Sequence, residues 1–180
     1  MFKFLLLSIS LLALFVSLSL AQSPQSAKAY FQRAEVHYAG NDLSQAIADY
    51  SKAIELDPQF AEAYNRRGEA WFGKGNLQQA MADYSTAIYI EPFLVPAYFN
   101  RGCARKEEGN LKGAMADFNR ALGIDSRYAS AFAQRGMIHL LQGEDTKAQK
   151  DFERACKLDA TLKALIDKQI AEMKVGRNSK

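Results

Sequence analysis

The pattern of hydrophobic and polar positions repeats every 34 residues along most of the chain. Similar five-residue strings begin at Ala46, Ala80 and Ala114, and a weaker copy begins at Ala148. Within each repeat the apolar residues are spaced by three and four, which is the spacing of one helix face, and no stretch alternates like a strand. The sequence therefore predicts an all-α fold of four consecutive units, which span residues 27–60, 61–94, 95–128 and 129–162.

Turn signals divide each unit into two helices. The middle of every unit carries glycine or asparagine, which can adopt the left-handed conformation that ends a helix; these residues are Gly40-Asn41, Gly75, Gly109 and Gly143. Pro58 and Pro92 mark two unit boundaries, where a proline suits the stop of one helix and the start of the next. Each unit is predicted to be an antiparallel helical hairpin.

Small and large residues occupy fixed columns of the repeat. The eighth position is Ala34, Gly68, Gly102 or Gly136, and the twentieth and twenty-seventh positions are always alanine. The fourth and twenty-fourth positions are always Tyr or Phe. Small residues let two helix backbones approach closely, so that large side chains from the neighbouring helix can fill the space between them.

These columns, together with the 34-residue period and the boundary prolines, resemble the tetratricopeptide repeat (TPR) family over about residues 27–162. The resemblance implies a right-handed superhelical α-solenoid of four TPR hairpins. Three features depart from the family pattern. Ser126 and Ala160 replace the boundary proline, Asp145 replaces the leucine found at the same position in the other units, and Asn41 stands where the other units have glycine.

The chain after the last unit is predicted to form a capping helix over residues 163–175, followed by a flexible tail at 176–180. Leu162, Leu165, Ile166, Ile170 and Met173 share one face of this helix, and charged residues of both signs share the other. A stack of hairpins leaves its last apolar face uncovered, so a helix with a polar back is expected there.

Residues 1–21 have the layout of a secretory signal peptide. Lys3 is followed by an unbroken run of apolar residues and serines, and small residues precede a possible cut before Gln22. Residues 22–26 would then be a short linker, and the protein would be exported, either periplasmic or secreted. The alternative is an uncleaved membrane anchor formed by residues 4–21.

Composition and motifs favour a binding protein over an enzyme. Without the leader and the basic C-terminal segment, the body of the chain is close to neutral, which argues against nucleic acid as the partner. The sequence contains no catalytic, phosphate-binding or metal-binding motif, and we expect no cofactor and no metal. His37 and His139 are interpreted as packing or groove-edge residues, and Cys103 and Cys156 as unpaired thiols because they lie in different repeats.

One charge pattern repeats with the units. Arginine holds the seventh position and aspartate the twenty-third, as in the pair Arg67 and Asp83. We expect a ladder of partly buried Arg–Asp pairs, within a unit or between neighbouring units; the alternative is a set of solvated side chains.

The TPR resemblance also implies that the first helix of each unit lines a concave groove, which binds a peptide or protein segment. Carried over by repeat position, the candidate groove residues are Phe31, Glu35, Tyr38, Asn65, Glu69, Phe72, Phe99, Asn100, Cys103, Lys106, Gln134 and Met137. The apolar members of this set could equally be core residues. Self-association as a subunit of an envelope or secreted assembly is the alternative function.

Chaperone-binding TPR domains clamp a C-terminal carboxylate with lysines, asparagines and an arginine. The matching positions of this chain are Phe31, Glu35, Arg66, Pro96 and Asn100. Asn100 alone fits that pattern, so the sequence predicts that the clamp is absent.

Overall fold

The computed structural model describes residues 26–178, with side chains described as far as residue 172. Within this range the chain is all-helical and contains no strand, which confirms the predicted fold class. The nine helices are α1 (Ala27–Ala39), α2 (Leu43–Leu56), α3 (Ala61–Gly73), α4 (Leu77–Ile90), α5 (Val95–Glu107), α6 (Leu111–Ile124), α7 (Ala129–Leu141), α8 (Asp145–Leu158) and α9 (Leu162–Asn178).

The first eight helices form four hairpins whose turns have the expected left-handed residue. The φ angles are 79° at Gly75, 87° at Gly109 and 76° at Gly143. In the first unit Asn41, with φ 60°, takes this role rather than Gly40. After α3 the Asn76 N–H donates to the Trp71 carbonyl at 2.9 Å, which satisfies a carbonyl at the helix end.

The small eighth position meets the aromatic twenty-fourth position of the same unit. A Cβ on Gly68 would lie 2.6 Å from Cε1 of Tyr84, and one on Gly102 would lie 2.7 Å from Cε1 of Phe118. Both rings are almost completely buried. The two helices of a hairpin are therefore as close as the predicted small-and-large columns require.

Neighbouring hairpins stack side by side into a TPR-type α-solenoid. The second helix of each hairpin packs on the first helix of the next, and α3 also contacts α5 directly. The core is a row of apolar clusters between successive helices. We call the surface formed by the first helices α1, α3, α5 and α7 the inner face.

The Arg–Asp ladder is present in all four units, and each pair lies within one unit. In the second unit Arg67 donates to the two carboxylate oxygens of Asp83 at 2.8 and 2.7 Å. The same two-bond geometry joins the other pairs, which are Arg33–Asp49, Arg101–Asp117 and Arg135–Asp151. The hydrogen bond to Asp83 raises the pKa of Arg67.

The ladder also connects successive units. A third guanidinium N–H of Arg67 donates to the hydroxyl of Ser51 in the preceding unit at 3.0 Å, and Arg101 bonds Ser85 in the same way. In the fourth unit Arg135 donates to Asn119. Each arginine therefore joins the two helices of its own hairpin, and Arg67, Arg101 and Arg135 also orient their hairpin on the one before.

The last helix, α9, packs on α7 and α8 and covers the end of the stack. Ile166 is 3% exposed and lies against Met137 and Phe152, whereas Leu165 is largely exposed because it lies beside the contacting stripe. The helix continues to Asn178, past the predicted end at residue 175, and no proline follows that would stop it earlier.

The predicted signal peptide and linker fall almost entirely outside the described residues. Within the described part of the chain, every helix is too short or too polar to cross a membrane.

Candidate functional site

A cavity of about 550 Å³ opens on the inner face between α3 and α5. We call it the first cavity. Its polar side chains come from α3, from the end of α4 and from Asn100 of α5. Its apolar walls come from α5 and from the two loops that precede α5 and α7. It is lined by Glu62, Asn65, Arg66, Glu69, Glu91, Leu94, Pro96, Phe99, Asn100 and Tyr128.

A polar network forms the floor of the first cavity. The side-chain amides of Asn65 and Asn100 both donate to Oε1 of Glu69 at 2.8 Å, and Asn100 also donates to Oδ1 of Asn65 at 3.1 Å. Asn65 is 4% exposed, so these bonds are sheltered from water. The network joins α3 to α5 and holds the Glu69 carboxylate in one orientation.

Arg66 connects this network to the first unit. Its guanidinium donates to Oε2 of Glu69 at 3.1 Å and lies 3.7 Å from Oε1 of Glu35. The hydroxyl of Tyr50 donates to the same Glu35 oxygen. The pKa of Tyr50 is raised, first by burial and then by this bond to a carboxylate. One guanidinium is thus shared between two carboxylates on the inner face.

A second cavity of about 290 Å³ adjoins the first and shares Glu69, Phe99 and Asn100 with it. Its remaining walls are Tyr38, Phe72, Gly73, Tyr84 and Cys103. Burial raises the pKa of Tyr38, and the nearby Glu69 raises it further. We call the two adjoining cavities the inner site; it spans the first three units.

Cys103 is a partly buried thiol in the wall of the second cavity. Burial raises its pKa to about 12, and Glu107 acts in the same direction while Lys106 opposes it. Such a thiol is protonated at neutral pH and is therefore a poor nucleophile. Both Cys103 and Cys156 are free cysteines.

A third cavity of about 440 Å³ lies near the C-terminal end of the stack. Lys106, Leu111, Met137 and Leu141 line it together with Gln169 and Glu172 of α9. Lys106 donates to Oε1 of Gln134 at 2.8 Å, which connects α5 to α7. Met137 is 3% exposed and belongs to the core cluster around Phe152, although it also reaches this cavity.

The predicted groove residues are therefore divided among three places. Seven of them meet in the inner site: Tyr38, Asn65, Glu69, Phe72, Phe99, Asn100 and Cys103. Lys106, Gln134 and Met137 lie at or beside the third cavity. Glu35 lies beside the inner site, where it pairs with Arg66. Phe31 packs between Tyr50 and Phe60.

Phe99 combines the two interpretations that the sequence left open. Its ring packs 5.8 Å from the ring of Phe118 and 5.3 Å from that of Tyr128, measured between centroids. It also lines both cavities of the inner site. The residue is part of the core and part of the wall of the site.

Sequence reasoning missed the loop residues of the first cavity. Glu91 follows α4, while Leu94 and Tyr128 immediately precede α5 and α7. The groove positions taken from the family resemblance all lie within first helices, so they could not include these three. One signal was available, because Glu91 is a glutamate in a column where the other units have aspartate.

Each histidine lies near an acidic side chain, and the two histidines are not close to each other. His139 Nδ1 lies 2.5 Å from Oε2 of Glu144, and His37 Nε2 lies 3.6 Å from Oδ2 of Asp49. Bonds from Lys147 and from His139 lower the pKa of Glu144. Within residues 26–172, whose side chains are described, no group of His, Cys, Asp and Glu residues is arranged to hold a metal ion.

Comparison with known protein families identifies the class of protein that these hairpins define. A family model described as "TPR repeat" matches residues 34–75, and one described as "Tetratricopeptide repeat" matches residues 61–93, 95–128 and 129–162. These matches cover most of the chain, and the chain belongs to the tetratricopeptide repeat family. Among curated protein sequences, no match was found.

Several solved structures share the fold. A crystal structure of MamA has 21% sequence identity and a TM-score of 0.72, and the match covers 81% of this chain and 85% of that one. MamA 41-end from Desulfovibrio magneticus RS-1 has 16% identity and a TM-score of 0.68, with coverage of 77% and 78%. At these identities the likeness concerns the fold alone.

A third similar structure contains a bound peptide. The first TPR of Spaghetti (RPAP3), bound to the HSP90 peptide SRMEEVD, has 22% identity and a TM-score of 0.64. The match covers 67% of this chain and 96% of that one.

Proposed function

We propose that this protein is an exported TPR scaffold whose inner site binds a segment of another protein. The observation that carries the proposal is the pair of adjoining cavities that spans α1, α3 and α5. Most residues that line these cavities, such as Asn65, Glu69 and Asn100, lie at positions that differ from one unit to the next, although Tyr84 belongs to the constant aromatic column.

The chemistry of the inner site suits a polypeptide ligand. Asn100 carries both a carbonyl acceptor and an amide donor, which can bond the backbone of an extended peptide. Phe72 and Phe99 offer apolar area for the side chains of that peptide, and large aromatic residues are typical anchors in interfaces. The similar TPR structure that holds a peptide supports the same use of the fold.

Non-enzymatic binding is the function that the described residues support best. The thiol of the inner site, Cys103, has its pKa raised rather than lowered, which makes it less reactive. TPR proteins are generally binding modules, so we assign this protein no catalytic role, no nucleic-acid partner and no cofactor.

Site-directed photo-crosslinking in living cells would test the proposed site. A photoreactive amino acid would replace Tyr38, which lines the second cavity, or Tyr89, which is 85% exposed and lines none of the three cavities described above. We expect Tyr38 to yield a crosslinked protein partner that Tyr89 does not yield. Identical products from the two positions, or a product from Tyr89 alone, would contradict binding at the inner site.

Export is the second part of the proposal, and it depends on residues 1–21. Mass spectrometry of the protein purified from its own cells would determine the N terminus. We expect a chain that begins at Gln22 and is found outside the cytoplasm, either in the periplasm or secreted. A chain that retains Met1 and sediments with membranes would instead indicate an anchor formed by residues 4–21.

Self-association remains the second candidate function, and two exposed aromatic side chains favour it. Tyr89 and Phe93 protrude near the boundary between the second and third units, where Arg120 lies 6.0 Å above the Phe93 ring. Light scattering of the purified chain, alone and as a Tyr89→Ser/Phe93→Ser variant, would distinguish the two functions. A dimer or larger species that the double substitution dissociates would support self-association.

A further inference from the structure

We propose that the partner segment is basic, and that one of its Arg or Lys side chains enters the first cavity. This inference rests on the proposed function, because it names the chemistry of the ligand at the same site. The cation would face Glu62, Glu69 and Glu91, and its aliphatic stem would lie along Phe99, Tyr128 and Leu94.

The first argument is the balance of charge around the first cavity. Three carboxylates line it, from Glu62, Glu69 and Glu91, and they face a single guanidinium from Arg66. That guanidinium is already shared between Glu69 and Glu35. The cavity therefore carries an excess of negative charge, and a basic ligand is the complementary partner.

Two of these carboxylates have no cation of their own. Among the residues whose side chains are described, neither Glu62 nor Glu91 pairs with a lysine, arginine or histidine, although both are exposed at the rim of the cavity. Apart from Arg66 and Glu69, which pair with each other, the other lining residues are apolar, aromatic or amide side chains. A ligand cation at the rim would therefore pair with Glu62 or Glu91 without breaking an existing ion pair.

The second argument comes from Glu91, which departs from its column in the repeat. The thirty-first position of the other units is Asp57, Asp125 or Asp159. Each of these aspartates accepts a hydrogen bond from the backbone N–H two residues later, at 2.8 to 3.0 Å, and so stabilises its own turn.

Glu91 makes no equivalent turn contact within the described structure; its side chain lines the first cavity instead. Its side chain is one methylene longer than that of aspartate. The change from Asp to Glu therefore removes a carboxylate from turn stabilisation and places it at the inner site. The repeat pattern alone gives no reason for that change.

The third argument is the shape of the apolar wall. The Phe99 and Tyr128 rings meet edge to face at 5.3 Å, and Leu94 and Pro96 extend the same wall. Arginine and lysine pack their aliphatic stems on apolar surface while the charged end stays near polar groups, and both are attracted to aromatic faces. An apolar and aromatic wall that faces carboxylates is therefore complementary to an arginine or lysine side chain.

The same features disfavour an acidic segment. The similar TPR structure holds SRMEEVD, a peptide with acidic residues near its C terminus. Here Glu35 and Glu69 lie on the inner face and occupy Arg66, the nearest guanidinium. We therefore use SRMEEVD as the probe that the inner site is expected to reject.

The test is a selection of random short peptides, displayed on phage, against the purified chain at a salt concentration of roughly 0.15 M, where long-range attraction is screened. Selected peptides would then be synthesised, and their affinities measured by fluorescence anisotropy beside that of SRMEEVD. The variant Asn100→Ala would report whether binding occurs at the inner site. We expect the selected peptides to be enriched in Arg and Lys over the starting library, and SRMEEVD not to bind.

A matched pair of double variants separates a specific site from general attraction. Glu62→Gln/Glu91→Gln removes the two unpaired carboxylates of the first cavity. Glu55→Gln/Glu153→Gln removes two exposed carboxylates of second helices, outside the inner site. We expect the first variant to weaken binding by roughly tenfold, because it removes two exposed ion pairs with the ligand, and the second to leave binding unchanged.

The outcomes distinguish the two levels of the proposal. Neutral or acidic peptides whose binding is lost in Asn100→Ala would overturn the basic-segment inference and leave the proposed function standing. Basic peptides that lose affinity equally in both double variants would also overturn it, because such binding is non-specific attraction. Failure to select any peptide whose binding depends on Asn100 would overturn both proposals.

Discussion

Two polar arrangements in this protein differ in how often they occur. The Arg–Asp ladder repeats in every unit with nearly the same geometry, as the Arg67–Asp83 and Arg101–Asp117 pairs show. The network of Asn65, Glu69 and Asn100 occurs once, between the second and third units. The difference teaches that positions constant along the repeat build the stack, while positions that vary along it build the site.

The ninth position of the repeat shows this variation along the inner face. It is Glu35, Glu69, Cys103 and Met137 in successive units. The acidic pair belongs to the network around Arg66, the partly buried cysteine lines the second cavity, and the methionine joins the core. At this position the inner face therefore changes from charged to apolar along the stack.

The largest effect on stability is expected from breaking the ladder at Asp117. This carboxylate is 3% exposed and accepts bonds from both Arg101 and Arg105. Asp117→Asn leaves two guanidinium groups without their anion, and we expect it to lower the free energy of unfolding by about 3 kcal/mol. Urea denaturation followed by circular dichroism would measure the change.

The control for that prediction is Glu55→Gln, which breaks the exposed pair between Lys52 and Glu55. We expect this variant to differ from the parent by less than about 0.5 kcal/mol, as exposed pairs usually do. Equal stabilities of the Asp117→Asn and Glu55→Gln variants would show that the ladder is merely a set of solvated charges.

A somewhat smaller loss is expected where the hairpin helices touch. Gly68→Val places a branched side chain where even a Cβ would lie 2.6 Å from the Tyr84 ring. Overpacking of this kind costs about 2 kcal/mol. Thermal unfolding would measure it, and replacing a glycine that has open space around it should not reproduce the loss.

Gly123 provides the comparison, since a Cβ there would meet nothing within 4 Å. It lies within α6, where alanine favours the helix more than glycine does, so Gly123→Ala should raise stability by about 0.5 to 1 kcal/mol. A stability loss at Gly123 as large as that at Gly68 would mean that the close hairpin contact is not the cause.

The smallest expected effect on stability is none, and this prediction concerns the alkylation rate of Cys103. Because the pKa of Cys103 is raised to about 12, its thiolate fraction is small at pH 8 and grows as the pH rises. In a Cys156→Ser background we expect alkylation of Cys103 at pH 8 to be at least about a hundredfold slower than that of an unstructured cysteine. A rate equal to that of free cysteine would contradict the raised pKa of the Cys103 thiol.

Much of the fold could be predicted from the sequence because the fold depends on repeated columns. The small eighth position, the alanine columns, the aromatic columns and the Arg–Asp spacing of sixteen residues each occur four times, so the repetition itself supports each prediction. Asn41 was predictable in the same way, because it occupies the turn position of Gly75 and Gly109.

The inner site was predictable only in outline. A helical position can be assigned to the inner face, but the sequence does not show that Asn65 and Asn100, which are 35 residues apart, share the Glu69 carboxylate. It also did not show that Glu91 and Tyr128, which lie outside the first helices, would complete the first cavity. These contacts occur once, between units or through loops, so no repeated position in the sequence indicates them.

The most direct test of the central claim is the affinity of the crosslinked partner segment for two matched asparagine variants. Asn100→Ala removes a member of the inner network, and Asn119→Ala removes an exposed asparagine of α6, outside the inner site. We expect isothermal titration calorimetry to show binding at least about tenfold weaker for Asn100→Ala, since both its hydrogen bonds and its contact with the ligand are lost, and unchanged for Asn119→Ala. Equal affinities of the two variants for the segment would contradict the account.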